Sequence, residues 1–324
     1  MDQADEKATS RAGGLPAIVT IGTFDGVHLG HQHLLKLVHE RAAKTGGVSV
    51  VVTFEPSPAQ LFNPERFDGR LTTPEQKVTL IRSCGIDRVL VLPFTRELAR
   101  LSPEAFLQQL GEECLLAELW VGSDFALGHR RAGDVPRLRE IGADMGFTVH
   151  AIERVQFDGL EASSSTIRRL ITDGVVDEAA RLLGYRYAIS GEVIRGSQVG
   201  RTIGYPTANV ALPADLVLPA DGIYATYARI GDEAVDRPAM TYIGTRPALN
   251  SGSRLIETHL LDFDDDLYGK TLTTLFVTHL RPDADFPGVD ALVAQLQRDE
   301  EDTRSVLGLS SRLSERAAAN RGND

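Results

Sequence analysis

The chain has 324 residues, of which 42% are hydrophobic and 24% charged, and a net charge of −11. That length exceeds what one hydrophobic core usually spans, so two domains of an ordinary soluble globular protein are expected. The acidic balance argues against sequence-independent binding of nucleic acid, no run of ~18 apolar residues offers a membrane span, and two separated cysteines, Cys84 and Cys114, fit a reducing cytoplasm better than a disulfide or zinc framework.

Residues 1–14 are polar, with no apolar stretch of the kind a secretory signal needs, and read as a disordered lead-in, as does the tail over 311–324. The run AIVTI (17–21) ends at Gly22 and has the look of a buried parallel strand. Leu34, Leu37 and Val38 then recur at helical spacing, and VSVVVTF (48–54) is a second buried strand. Thr73, Pro74 and Gln76 supply an N-cap, a proline at the first helical position and a capping box. Strand RVLVL (88–92), a helix from Ser102-Pro103, strand ELWVG (118–122), a helix near 135–145 and strand FTVHAI (147–152) continue the rhythm. Such alternation predicts a parallel sheet with helices on both faces.

The rhythm breaks near residue 185. YAISGEVIRG (187–196), IYATYARI (223–230), AMTYIG (239–244), LIETHLLDF (255–263) and TLTTLFVTHL (271–280) are β-rich runs without helices between them, which predicts a small antiparallel barrel. Val289, Leu292, Val293 and Leu296 mark one amphipathic helix. The expected division is 15–185 and 186–310.

The stretch TFDGVHLGHQHLL (23–35) joins the first strand to the first helix. A glycine turn that delivers a helix N-terminus makes an anion site. His28 and His31 share a face of the first turn, and Gly30 between them removes a side chain where a phosphate would approach. Solvated histidines, or a metal held by His28, His31 and His33, are the competing readings. A dinucleotide fingerprint is absent, and the GKT at 269–271 lacks the first glycine of a P-loop, Asp264 standing in its place. Arg130–Arg131 and Arg168–Arg169 are local basic pairs that an anionic substrate would need.

GTFDGVHLGH, followed in order by TFEPSP (53–58), LTTPEQK (71–77), VGSDFALGHRRAGD (121–134) and SSSTIRRL (163–170), resembles the H-x-G-H nucleotidyltransferases in the form found in bacterial bifunctional riboflavin kinase/FAD synthetases. GEVIRGSQVGRTIGYPTANV (191–210) and IETHLLDFDDDLYGKTL (256–272) resemble the kinase half of the same family, and the likeness covers about residues 17–305. The resemblance implies an α/β, Rossmann-like nucleotidyltransferase domain followed by a small antiparallel β-barrel riboflavin kinase domain with a C-terminal helix. It implies that His28, His31 and Arg168 serve adenylyl transfer and that Glu257 is the base of the kinase. Gly22, Phe24, Asp25, Gly26, Gly30, Asp124, Ser163, Ser164 and Ser165 would contact nucleotide in the first domain, and Gly196, Gly200 and Arg201 in the second. Thr207 and Asn209 would help to hold Mg²⁺ with the ATP phosphates.

The expected substrates are riboflavin, FMN and ATP, with FAD as product, Mg²⁺ as cofactor, and neither nucleic acid nor membrane as partner. Ser57 stands where the family commonly has histidine, and Tyr242 and Ala248 depart from its usual pattern, which puts flavin contacts there in question. An alcohol attacking the γ-phosphate of ATP profits from a carboxylate base. A phosphate attacking the α-phosphate is already anionic and needs positioning and charge neutralisation instead. Taken singly, Ser163–Ser165 could be an ordinary N-cap, Thr207 and Asn209 a hairpin loop, and the aspartates 262–266 a solvated turn. An adenylyltransferase with a non-catalytic, flavin-binding barrel, and a synthetase fragment with an RNA-binding barrel, are the alternatives.

Overall fold

The computed structural model describes residues 14–311 apart from 154, 158, 197, 214 and 246–253. The two expected tails, except for their inner ends at Gly14 and Ser311, and the departure at Ala248 lie outside the described residues. Compactness divides the chain into two units, between Ser164 and Ser165.

In the first unit β1 (Ala17–Ile21), β2 (Val48–Glu55), β3 (Arg88–Pro93), β4 (Leu116–Gly122) and β5 (Thr148–Ile152) form one sheet in the order β3-β2-β1-β4-β5. Every pairing is parallel. Helices α1 (Leu29–Thr45), α2 (Pro74–Ser83), α3 (Pro103–Glu113) and α4 (Val135–Met145) connect the strands. β1 is buried at every position because both of its faces are covered. Ala17, Val19 and Ile21 pack with Phe106, Leu110, Leu138 and Ile141 of α3 and α4, while Ile18 packs with Leu35, Val38 and Ile81 of α1 and α2.

The local signals act where the sequence places them. Thr73 and Gln76 form the reciprocal capping box of α2, and Ser102 and Asp134 cap α3 and α4 through backbone amides three residues on. Strand order reverses at β1, and the chain leaving the carboxyl ends of β1 and β4 therefore borders the crevice typical of such sheets.

Helix α5 (Ser164–Thr172) starts on the last residue of the first unit and continues into the second, where α6 (Val176–Leu183) packs on the barrel. β6 (Ala188–Ile194), β7 (Ala208–Val210), β8 (Gly222–Ile230), β9 (Arg237–Thr245), β10 (Arg254–Leu260) and β11 (Thr271–Pro282) close into a barrel in the order β6-β7-β10-β9-β8-β11. All of its pairings are antiparallel. Four fully buried threonines run through it as a chain of hydroxyl contacts, Thr226 to Thr241 at 2.9 Å, Thr241 to Thr258 at 3.1 Å and Thr258 to Thr274 at 3.1 Å.

Two features differ from the sequence expectation. β10 stops at Leu260, because Asp262 turns the chain with φ of 54° and both of its carboxylate oxygens accept from Arg304 Nη2 at 2.7 Å. The C-terminal helix α7 (Val289–Val306) does not dock by an apolar stripe alone: Leu296 packs on Tyr205, Ile223 and Met240, but Val289 is 60% exposed. Its buried residues are Asp299, Glu300, Thr303 and Arg304. Arg281 grips Asp299 with two bonds of 2.8 and 2.7 Å, so these charges are buried as hydrogen-bonded pairs.

Candidate active sites

The turn from β1 to α1 packs three left-handed residues into four positions, Phe24 (φ 48°), Gly26 (φ 76°) and Val27 (φ 33°). A β-branched side chain at positive φ is strained and must be held by its surroundings. The holders are visible. Asp25 accepts from the Leu71 amide at 2.9 and 3.1 Å and from the Thr72 amide at 3.3 Å. Gly26 N–H donates to the Thr72 hydroxyl, and the Ser164 hydroxyl donates to the Asp25 carbonyl at 3.0 Å. Asp25, Ser164 and the LTTPEQK segment thus fix the turn.

His28 is the N-cap of α1, its Nδ1 accepting from the His31 amide at 3.4 Å. This places its proton on Nε2. The His31 ring stacks on that of His28 with centroids 3.7 Å apart, and Phe24 meets His31 edge-on at 5.1 Å. A Cβ on Gly30 would stand 3.2 Å from the His28 ring, so glycine there makes room for the imidazole. Burial pushes the pKa of His28 down to about 4. Burial, reinforced by the neighbouring His28, holds His31 well below the ordinary histidine value. Both rings are therefore neutral at neutral pH.

These groups line a cavity of about 830 Å³. Gly22, Phe24, Gly30, Asp124, Ser163 and Ser164 lie on its wall, while Asp25, Gly26 and Ser165 are not among the lining residues. Part of the lining is aromatic and was not legible in the sequence. Phe54, Phe62, Phe94 and Phe106 come from four separate segments, with ring centroids 5.4 to 6.4 Å apart. Arg130 and Arg131 also line the cavity, both exposed and both left-handed, on the loop that follows β4. Arg168 stands on α5 in the second unit, one helical turn after Ser164.

In the barrel, register assembles the other group. Asn209 of β7 lies directly opposite Glu257 of β10, and Glu257 opposite Tyr242 of β9. Opposed residues in an antiparallel pair hold their Cβ atoms ~5 Å apart. Glu257 is only 6% exposed. Gly196 packs so closely on the Asn209 side chain that a Cβ would fall 2.4 Å from it. Gly200 and Arg201 lie in a one-turn helix, Val199–Thr202, that precedes the tetrad Pro206–Asn209. His259, which sequence reading passed over, is buried two residues beyond Glu257. Its only local signal is that spacing, which puts the two side chains on one face of the strand.

Among the described residues no group of three or more His, Cys, Asp or Glu side chains is placed to hold a metal. Hydroxyl and amide oxygens from Thr207 and Asn209 nevertheless suit Mg²⁺, a hard, oxygen-seeking cation that keeps waters and substrate phosphates among its ligands.

An α/β nucleotidyltransferase unit followed by a flavokinase barrel is the class this fold defines. Residues 13–166 match the FAD synthetase family and residues 183–307 the riboflavin kinase family. A bifunctional riboflavin kinase/FMN adenylyltransferase of Escherichia coli K12 is 37% identical over 295 residues, covering 90% of this chain and 93% of that one. Its Pseudomonas fluorescens counterpart is 38% identical over 296 residues, covering 91% and 94%. A crystal structure named as a macrolide-efflux protein of Streptococcus pneumoniae superposes with a TM-score of 0.83 at 30% identity, covering 92% of this chain and 96% of that one. Among the described residues no helix is long and apolar enough to cross a membrane. The chain belongs to the bifunctional riboflavin kinase/FMN adenylyltransferase family.

Proposed function

We infer that the chain makes FAD from riboflavin in two ATP-dependent steps, phosphorylation to FMN in the barrel and adenylylation of FMN in the α/β unit. The observation that carries this is one of equipment: a buried carboxylate, Glu257, faces Asn209 in the barrel, whereas two stacked neutral imidazoles at a helix N-terminus face the cavity of the other unit. We assign the first activity to about residues 186–310 and the second to about 15–185, with a cytoplasmic location that suits the free thiols of Cys84 and Cys114.

In the first step Glu257 accepts the proton of the ribityl 5′-hydroxyl as its oxygen bonds to the γ-phosphorus and the bond to ADP breaks. Thr207 and Asn209 hold Mg²⁺ with the ATP phosphates, and the ion supplies charge neutralisation there. Gly196, Gly200 and Arg201 contact the triphosphate. In the second step an FMN phosphate oxygen bonds to the α-phosphorus of ATP and pyrophosphate leaves. No base is required. His28 Nε2–H and the His31 ring act as neutral donors to the phosphoryl oxygens, with the end of α1 adding positive potential. Gly22, Phe24, Gly30, Asp124, Ser163 and Ser164 contact the nucleotide, Ser165 flanks it, and Asp25 and Gly26 act by holding the turn. The aromatic wall of Phe54, Phe62, Phe94 and Phe106 suits the flat, apolar isoalloxazine ring.

Chromatography of products from riboflavin, ATP and Mg²⁺ tests the reading. FAD with transient FMN is expected. FAD formed from FMN but never from riboflavin would return the barrel to a non-catalytic, flavin-binding role.

A further inference from the structure

The tetrad Pro206–Asn209 is held at its two ends by different means. Val210 faces Ile256, Asn209 faces Glu257 and Ala208 faces Thr258, so the same register would oppose Thr207 to His259. Strand β7 begins only at Ala208, and Pro206, having no N–H, cannot extend the ladder as a donor. The Pro206 carbonyl accepts instead from the His259 side chain, Nδ1 lying 2.8 Å away. A carbonyl can only accept, so Nδ1 carries the proton. The ring of Tyr205 lies 5.2 Å from that of His259, and the Tyr205 hydroxyl donates to Glu300 of α7 at 3.2 Å. Arg304 in turn holds Glu300 at 3.2 Å.

We propose that His259 is a positioning residue for phosphoryl transfer, its Nδ1–H clamping the Pro206 carbonyl and thereby fixing Thr207 beside Asn209 and Glu257. This rests on reading the barrel as a riboflavin kinase. The pyrrolidine ring already sets φ of Pro206. The clamp sets the orientation of the carbonyl, hence ψ, and the peptide that leads into Thr207 keeps neither soft torsion. Because Glu257 and His259 share one face of β10, a single strand delivers both the base and the clamp that orients its metal-holding neighbour. Upstream, the Tyr205 amide donates to the Gly200 carbonyl at 2.8 Å, so the chain enters the tetrad anchored and the Pro206 carbonyl is the point left for the clamp to set.

Three substitutions separate the clamp from mere bulk. In His259→Asn the side-chain amide can stand where Nδ1 stands. In His259→Gln it reaches the Nε2 position, and His259→Ala has no donor. With the full chain, the KM for Mg–ATP in FMN formation should rise roughly tenfold or more in the Ala and Gln variants, as loss of a buried hydrogen bond implies. The effect on kcat should be smaller, and the Asn variant should stay within about threefold of the parent. Hydrogen exchange over residues 205–210 should quicken in Ala and Gln and not in Asn. Adenylylation of supplied FMN should be unchanged in all three. An Asn variant as impaired as Gln, or an Ala variant with parental KM and exchange, overturns the proposal. If the Ala variant does not fold, the comparison of the two amides decides. An unaltered chain that makes no FMN would overturn the kinase reading itself, and the exchange pattern would still decide whether the clamp exists.

Discussion

Acid should loosen the N-terminal unit through His28, and the size of the effect can be worked out. The imidazole titrates near 6.5 in an unfolded chain and at about 4 in the buried N-cap of α1. The folded state therefore holds its proton less tightly than the unfolded state does. Stability is complete above pH ~6.5 and is lost as pH falls towards 4. Between pH 7 and pH 5 this one group costs about 2 kcal/mol, rising to about 3 kcal/mol once both states are protonated. His31 acts in the same direction. His28→Asn removes the titrating group and keeps a side-chain acceptor for the His31 amide, since asparagine is a good N-cap. The chain's single tryptophan, Trp120, lies on β4 of the same unit and reports its unfolding. Trp120 stacks on His150 with centroids 4.5 Å apart, so urea midpoints rather than intensities should be compared. Over pH 7 to 5 the variant should lose about 2 kcal/mol less stability than the parent. Parallel losses in the two proteins would refute the assignment of a buried neutral His28.

Replacing His31 with alanine should slow FMN adenylylation ~10²–10³-fold and leave riboflavin phosphorylation intact; equal loss of both activities in a folded variant would count against the division of labour. Glu257→Gln should slow FMN formation ~10²–10⁴-fold without touching adenylylation of supplied FMN, and an unaltered rate would move the base elsewhere. Thr207→Ala and Asn209→Ala should each raise the Mg²⁺ concentration needed for half-maximal kinase rate, with parental behaviour at limiting Mg²⁺ showing a purely structural tetrad. A fragment starting at Ser165 should fold and stop at FMN, whereas one starting at Arg186 should be far less stable. The shorter piece loses Val176, Leu182 and Leu183, which are 0, 2 and 0% exposed. Together they bring of the order of 5 kcal/mol. Equal thermal midpoints would show that α6 contributes nothing to the barrel.

Where a signal is local, the sequence carries it. Thr73 with Gln76, and Ser102 ahead of Pro103, name their helices because capping is settled within three residues. β1 is legible from end to end because both of its faces are buried, so an unbroken apolar run is all it needs. β7 is three residues long, too short for any period, and exists because residues 256–258 pair with it from far along the chain. α6 has an apolar face, but its eight residues fall where strand–helix alternation stops. Asp25 looks like a ligand contact in sequence, and its carboxylate is instead taken up by the amides of Leu71 and Thr72, forty-six and forty-seven residues on. On α7 the reader of hydrophobic periodicity sees Val289 to Leu296, while the buried positions are Asp299, Glu300 and Arg304. Charged residues are buried only when paired, and Arg281 and Asp262 are not neighbours in sequence.

The threonine chain inside the barrel has a consequence for how such a domain can change over generations. Each of Thr226, Thr241, Thr258 and Thr274 touches the next through a hydroxyl sealed from water. Changing Thr258 to valine first keeps the shape but strands the Thr274 hydroxyl, at about 1–3 kcal/mol, whereas Thr226 also donates to the Ala239 carbonyl at 3.1 Å and keeps a partner when Thr241 is lost. Changing all four together strands none of them and can be nearly neutral. A polar core and a fully aliphatic one are then two workable solutions joined by an ordered path, from Thr274 through Thr258 and Thr241 to Thr226, along which each remaining hydroxyl keeps a partner. Lineages that lose the hydroxyls should lose them from the Thr274 end, for reasons of mutational access rather than of chemistry at the flavin.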